Sequence, residues 1–239
     1  MKQSNRFASE QPENMKPKLL VIFVIDNSTA MTIGRMESIN NFLNSFYKSI
    51  QRGDCHPFEE VMIDRLELCI ITYSDSVQTL RKASLIGEHE VAPCIKRSTG
   101  NSNCIISAIN EAIDIIKERK EWYKEVGQYY YRPYIYLFSA DGLTKSESEE
   151  YIALRNRVLD DYRHKRYYIF NACIDFTASS DSELQNEIWP LTIHSLHELW
   201  LTIYTTGIHH YDDISIISST SKPDTIDLSG ESWLDEFDI

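Results

Sequence analysis

The stretch Leu19-Leu20-Val21-Ile22-Phe23-Val24-Ile25-Asp26 is apolar for a full strand length, ends on a carboxylate, and is followed at once by Asn27, Ser28 and Thr29. An apolar run without polar alternation belongs to a strand buried on both faces, the arrangement of a parallel sheet covered by helices. In open sheets of that kind ligands bind beyond the carboxyl ends of the strands. Asp26 and Ser28 stand at that place. The run Tyr134-Ile135-Tyr136-Leu137-Phe138-Ser139-Ala140-Asp141-Gly142 repeats the design and brings a second carboxylate, Asp141, to the same rim. Between the two, Ser98-Thr99-Gly100-Asn101-Ser102-Asn103 opens a helix with a hydroxyl-rich loop.

Helical periodicity separates these strands. Met36, Ile39, Phe42, Leu43, Phe46, Tyr47 and Ile50 recur at intervals of three and four, which predicts an amphipathic helix closed by Gly53. Ile105, Ile106, Ile109, Ala112, Ile113 and Ile116 predict a second, capped by Ser102 or Asn103, with the polar, aromatic-rich stretch from Lys117 to Arg132 looping back to the next strand. A third is expected from Ser146 to Arg163, with Ser146 as cap and Glu149 three residues on. A short helix is expected around Ser182 to Ile188 and a last one around Leu196 to Thr205. Further strands are expected at Leu66 to Tyr73, at Val77 to Leu85 as an antiparallel edge reached through Ser74-Asp75-Ser76, and at Tyr167 to Ile174. The alternation predicts an α/β fold: a doubly wound, mainly parallel sheet with one antiparallel edge strand and helices on both faces.

The net charge of −12 and the pI near 5.0 argue against a nucleic-acid partner, which requires a basic footprint. The most basic stretch, Arg155 to Arg166, is interleaved with Asp160 and Asp161 and reads as a solvated helix end. Five cysteines, Cys55, Cys69, Cys94, Cys104 and Cys173, lack any Cys-x-x-Cys spacing, so reduced thiols in a cytoplasm are expected rather than a disulfide framework or zinc ribbon. The apolar run at Leu19 is too short to span a bilayer, and residues 1–17 carry no signal-like apolar region, so no membrane partner is expected.

The three rim segments, in this order, resemble the metal-ion-dependent adhesion site of von Willebrand factor A (vWA) domains, over about Lys18 to Ser218. That family carries Asp-x-Ser-x-Ser, then a threonine after a glycine, then Asp-Gly. Asp26 and Ser28 match the first motif, Ser102 stands for the threonine after Gly100, and Asp141-Gly142 match the third. Ala30 departs from the pattern, because it replaces a serine that coordinates the metal directly. The resemblance implies Ser28 and Ser102 as direct ligands of Mg²⁺, or Mn²⁺, and Asp26 and Asp141 as ligands through water. Thr29 and Thr32 are nearby hydroxyls without the family spacing. Without a metal, the site is a degenerate one in which Asp26 only binds loop amides. Within the superfamily the chain is most similar to the bacterial TerY-like stand-alone group. That implies a non-catalytic, cytoplasmic protein-interaction module in a stress or defence system, with a protein kinase and a phosphatase as partners.

The expected organisation is a flexible N-terminal arm at residues 1–17, the vWA-like domain at 18–218, and an acidic, aromatic tail at 219–239. In that tail Trp233, Leu234, Phe237 and Ile239 stand among Asp235, Glu236 and Asp238, a composition suited to a basic, apolar-floored groove, on a partner or on its own domain. The chain carries neither Gly-x-x-x-x-Gly-Lys-Ser/Thr nor Gly-x-Ser-x-Gly. The alternative to an interaction module is a metal-dependent phosphohydrolase using Asp26 and Asp141, although that chemistry wants a second carboxylate where Ser28 stands. Cys55-His56 and His209-His210 have no further ligand spacing around them and read as surface or cap residues.

Overall fold

The computed structural model describes residues 5–56, 62–101, 104–140, 148–172 and 192–204. Among them a six-stranded sheet runs in the order β3-β2-β1-β4-β5-β6. Its central strand is β1 (Leu19–Asp26), flanked in parallel by β2 (Leu66–Tyr73) and β4 (Tyr134–Phe138). On one side β3 (Val77–Leu85) closes the sheet antiparallel to β2. On the other, β5 (Tyr168–Ala172) and the two-residue β6 (Thr192–Ile193) continue in parallel.

Side chains of successive strand residues point to opposite faces, and β1 is buried along its whole length. Leu19, Val21, Phe23 and Ile25 join one core with α1 (Ile33–Arg52) and α4 (Leu196–Ile203). Leu20, Ile22 and Val24 join the other, with α2 (Ile105–Glu125) and α3 (Glu149–Arg163). Phe23 centres the first core, with its ring 5.0 Å from Phe46 and 5.5 Å from Phe138. The expected doubly wound, mainly parallel sheet with an antiparallel edge is present.

The helix ends follow local chemistry. Thr32 caps α1 by accepting the Arg35 amide, and Gly53 ends it with φ 69°. The Gly53 N–H donates to the Ile50 carbonyl and the Asp54 N–H to the Ser49 carbonyl, a paired closure that favours glycine at its left-handed residue. At α3 the cap is Ser148, which accepts the Tyr151 amide, in place of the expected Ser146. At α2 the cap position is Cys104, without a side-chain bond, instead of Ser102 or Asn103.

Three expectations are corrected by contacts remote in sequence. The helix α2 does not end near Lys117 but continues to Glu125, because Arg119, Trp122 and Tyr123 are buried against other parts of the chain. Residues 5–16 are not a loose arm. Phe7 is 2 % exposed within the second core, Arg6 pairs with Glu111 and Glu118 on α2, and Asn14 donates to the Asp64 carbonyl. Cys55 is buried rather than on the surface, and burial pushes its thiol up to about 12. Asp160 and Asp161 do interleave with the basic stretch, but Arg157 ties α3 to Asn110 and Asp114 of α2. The expected helix at 182–188, Cys173, His209-His210 and the tail from 219 lie outside the described residues.

Candidate metal centre

The sheet order makes a crevice at the carboxyl end of β1. From β1 the chain proceeds first to β2 and β3 on one side, and later returns to β4 on the other. The strand order therefore reverses between β1 and β4, the place where ligand clefts open in doubly wound sheets.

Asp26 closes β1 and is fully buried. Its Oδ1 accepts the Ser28 N–H at 2.8 Å, and Oδ2 accepts the Ala140 N–H at 3.5 Å, so one carboxylate joins the loops after β1 and β4. Ser28 is fully buried as well, and its Oγ accepts the Ala30 N–H at 3.2 Å. The third loop is drawn in by backbone bonds. The Thr29 N–H donates to the Gly100 carbonyl at 2.9 Å, and the Ser98 N–H to the Asn27 carbonyl at 2.6 Å.

Of the four residues expected at the rim, Asp26 and Ser28 are thus side by side, while Ser102 and Asp141 lie outside the described residues. Their chain neighbours Asn101 and Ala140 are at the rim, held by bonds to Asp75 and Asp26. Thr32, considered as a substitute hydroxyl, is engaged as the α1 cap.

Asp75 is a rim residue that the sequence reading treated as part of a turn. Its Oδ1 accepts the Asn101 N–H at 2.8 Å, and a Cβ placed on Gly100 would stand 2.4 Å from Oδ2. Gly100 is therefore needed for close approach and not for an unusual φ. A signal was available, since Asp75 follows closely on the strand run Leu66 to Tyr73, as Asp26 closes the run from Leu19. Two cations complete the surroundings. Arg35 Nη1 donates to the Ala140 carbonyl at 2.9 Å, and Arg97 reaches the Thr29 carbonyl.

Carboxylate and hydroxyl oxygens form a hard donor set, which suits Mg²⁺ or Mn²⁺ rather than a thiophilic ion. Among the described residues no group of three or more His, Cys, Asp or Glu side chains is placed to hold a metal. Asp26 and Ser28 carry oxygens of this hard kind at the end of β1, and Ala30 carries a methyl group and no hydroxyl. With both Asp26 oxygens already accepting amides, this carboxylate is suited to reach an ion through water.

No family model and no curated protein matches the sequence. Among solved structures, the vWF domain of the type V pili tip protein Mfa5 from Porphyromonas gingivalis aligns with TM-score 0.53 and 10 % identity, over 80 % of this chain and 97 % of that one. The chain has a vWA fold. Other matches are the ArnB paralog VWA2 from Sulfolobus acidocaldarius, with TM-score 0.42, 15 % identity and 79 % of this chain covered, and proximal thread matrix protein 1 from the mussel byssus with a zinc-occupied MIDAS motif, with TM-score 0.44, 12 % identity and 79 % covered. The chain spans 45 % of the archaeal protein and 44 % of the mussel protein. Within this vWA fold Asp26 and Ser28 stand at the carboxyl end of β1, beside Ala140 after β4. No helix among the described residues is long and apolar enough to cross a membrane.

Proposed function

We propose that the chain is a non-catalytic protein-interaction module whose rim takes a divalent cation, Mg²⁺ or Mn²⁺, and presents it to an acidic side chain of a protein partner. Ser28 and Ser102 would be its direct protein ligands and Asp26 and Asp141 would act through water. The observation that carries this reading is the buried Asp26 carboxylate bridging the amides of Ser28 and Ala140. It joins the segments after β1 and β4 and sets the Ser28 hydroxyl beside the carboxylate. A shell dominated by neutral hydroxyls leaves the cation electron-poor and receptive to an incoming carboxylate. The TerY-like resemblance extends the proposal to a cytoplasmic, bacterial stress or defence system in which the partners are a protein kinase and a phosphatase.

The alternative, a metal-dependent phosphohydrolase using Asp26 and Asp141, requires Asp26 to attack substrate. A fully buried carboxylate that accepts two loop amides is poorly disposed to do so.

Calorimetric titration with Mg²⁺ and Mn²⁺ tests the metal reading. Ala30→Ser restores the missing hydroxyl and is expected to tighten binding about tenfold, worth roughly 1.4 kcal/mol, while Asp141→Ala weakens it. Equal heats for all three proteins would remove the metal from the proposal. Mg²⁺-dependent turnover of a phosphate ester, abolished by Asp26→Asn, would replace the module by the hydrolase.

A further inference from the structure

A cavity of about 360 Å³ lies between the second half of α1 and α4, separate from the rim residues. Lys48 and Arg52 line it from α1, His56 from the segment after that helix, and Leu196, His197 and Trp200 from α4. Its floor is aromatic: the buried Trp200 ring stacks on Phe46 at 4.9 Å and 7°. Its wall is cationic. Lys48 and Arg52 are exposed, and the rings of His56 and His197 stack at 6.3 Å. Among the described residues Asp54 is the single carboxylate in the lining. In a chain of net charge −12 this is a local inversion of sign over an apolar base.

One segment of the same chain carries the opposite pattern. Residues 221–239 hold six carboxylates, at Asp224, Asp227, Glu231, Asp235, Glu236 and Asp238, against one lysine, Lys222. Trp233, Leu234 and Phe237 stand among the last of them. Such large aromatics are typical anchors for a pocket with an apolar floor, and the flanking acids match a cationic wall. The tether also suits this pairing. Residues 205–232 follow directly from α4, which itself forms one side of the cavity. Twenty-eight residues are enough chain to return to the cavity, and intramolecular attachment raises the effective concentration, so weak contacts suffice.

We propose that residues 221–239 dock in the α1/α4 cavity of their own chain, with Trp233 and Phe237 on the Trp200 floor and Asp235 and Glu236 facing Lys48 and Arg52. This contact is independent of the metal rim. Its release would free an acidic, aromatic segment for a second binding event.

The test uses full-length chains and a fluorescein-labelled synthetic peptide of residues 221–239, read by anisotropy. In the parent the cavity is filled by the tethered tail, so the peptide binds weakly. A full-length Trp233→Ala/Phe237→Ala chain is expected to bind it at least tenfold more tightly. Adding Lys48→Glu/Arg52→Glu to that chain should remove the gain, and a peptide with Asp235→Lys/Glu236→Lys should restore binding to the charge-reversed chain, which also shows that the chain remains folded. Equal peptide binding by the parent and the vacated chain, no binding to either, or binding indifferent to the charge reversal would overturn the proposal. Failure of metal binding at Asp26 would leave these results unchanged.

Discussion

Arg119 on α2 and Glu67 on β2 form a bidentate ion pair inside the protein, with Nε and Nη2 each donating over 2.8 Å and the side chains only 4 % and 3 % exposed. The Tyr123 hydroxyl donates to the same carboxylate at 2.7 Å. Around the guanidinium, the Trp122 ring lies at 4.1 Å and the Phe7 ring at 4.7 Å, and Glu10 completes the pairing from the N-terminal segment. Sheet, helix and N-terminal segment therefore meet at one charge.

Removing one member of a buried pair leaves the other charge uncompensated. Arg119→Met is expected to destabilise the fold by about 3–5 kcal/mol, measured by urea unfolding. Arg119→Met combined with Glu67→Leu should cost less than Arg119→Met alone, because no buried charge is then stranded. A double variant at least as unstable as the single one would mean that the pair itself supplies the stability.

Phe7 tests the N-terminal segment. Truncating a buried phenylalanine removes transfer energy and leaves a cavity, so Phe7→Ala should cost about 3 kcal/mol. A segment only loosely attached would show almost no change in the urea midpoint. The loss should also be non-additive with Arg119→Met, since the two side chains touch.

At the rim, Gly100→Ala forces a methyl group against the Asp75 carboxylate. The expected loss is about 1–3 kcal/mol, read as a lower melting temperature. Asp75→Ala in the same chain should recover part of it by opening space, and only part, because the Asn101 amide loses its acceptor. Full additivity of the two substitutions would show that the clash is relieved elsewhere.

Alkaline stability follows from burial. Desolvation raises the thiols of Cys55 and Cys69 to about 12 and pushes the phenols of Tyr47, Tyr123, Tyr136 and Tyr167 up as well. The unfolded chain releases these protons at ordinary values, near 9 and 10, while the folded chain retains them. The native state then binds more protons, so stability falls as pH rises above about 9. Lys120 works in the opposite sense. Burial lowers it to about 8, so its contribution grows as pH rises from 8 toward 10.5. Urea midpoints measured at pH 8, 9, 10 and 11 should decline over the last two steps, and a flat profile would show that the buried phenols and thiols ionise without unfolding.

Much of this architecture is legible in the sequence because its information is local. The bounds of β1, β2 and β3 agree with their apolar and alternating runs, since a strand's face is declared by residues one or two apart. The buried side of α1 agrees for the same reason at intervals of three and four, and Gly53 marks its end. Asp26 and Ser28 stand out because polar groups at the tip of a buried strand have few structural uses.

What the tertiary structure decided involves partners far apart in the chain. Arg119 looks like a solvated charge until Glu67, 52 residues away, neutralises it, and that pairing, with the burial of Trp122 and Tyr123, holds the last turns of α2. Phe7 has no periodic neighbours, and its burial depends on a surface made by α2. Asp75 holds Asn101 across 26 residues, a contact set by the order of strands rather than by any motif. Periodicity reports which face of an element is apolar. Only packing determines which remote charge, ring or loop that face will meet, because the energy of burying a polar group depends on the partner that satisfies it.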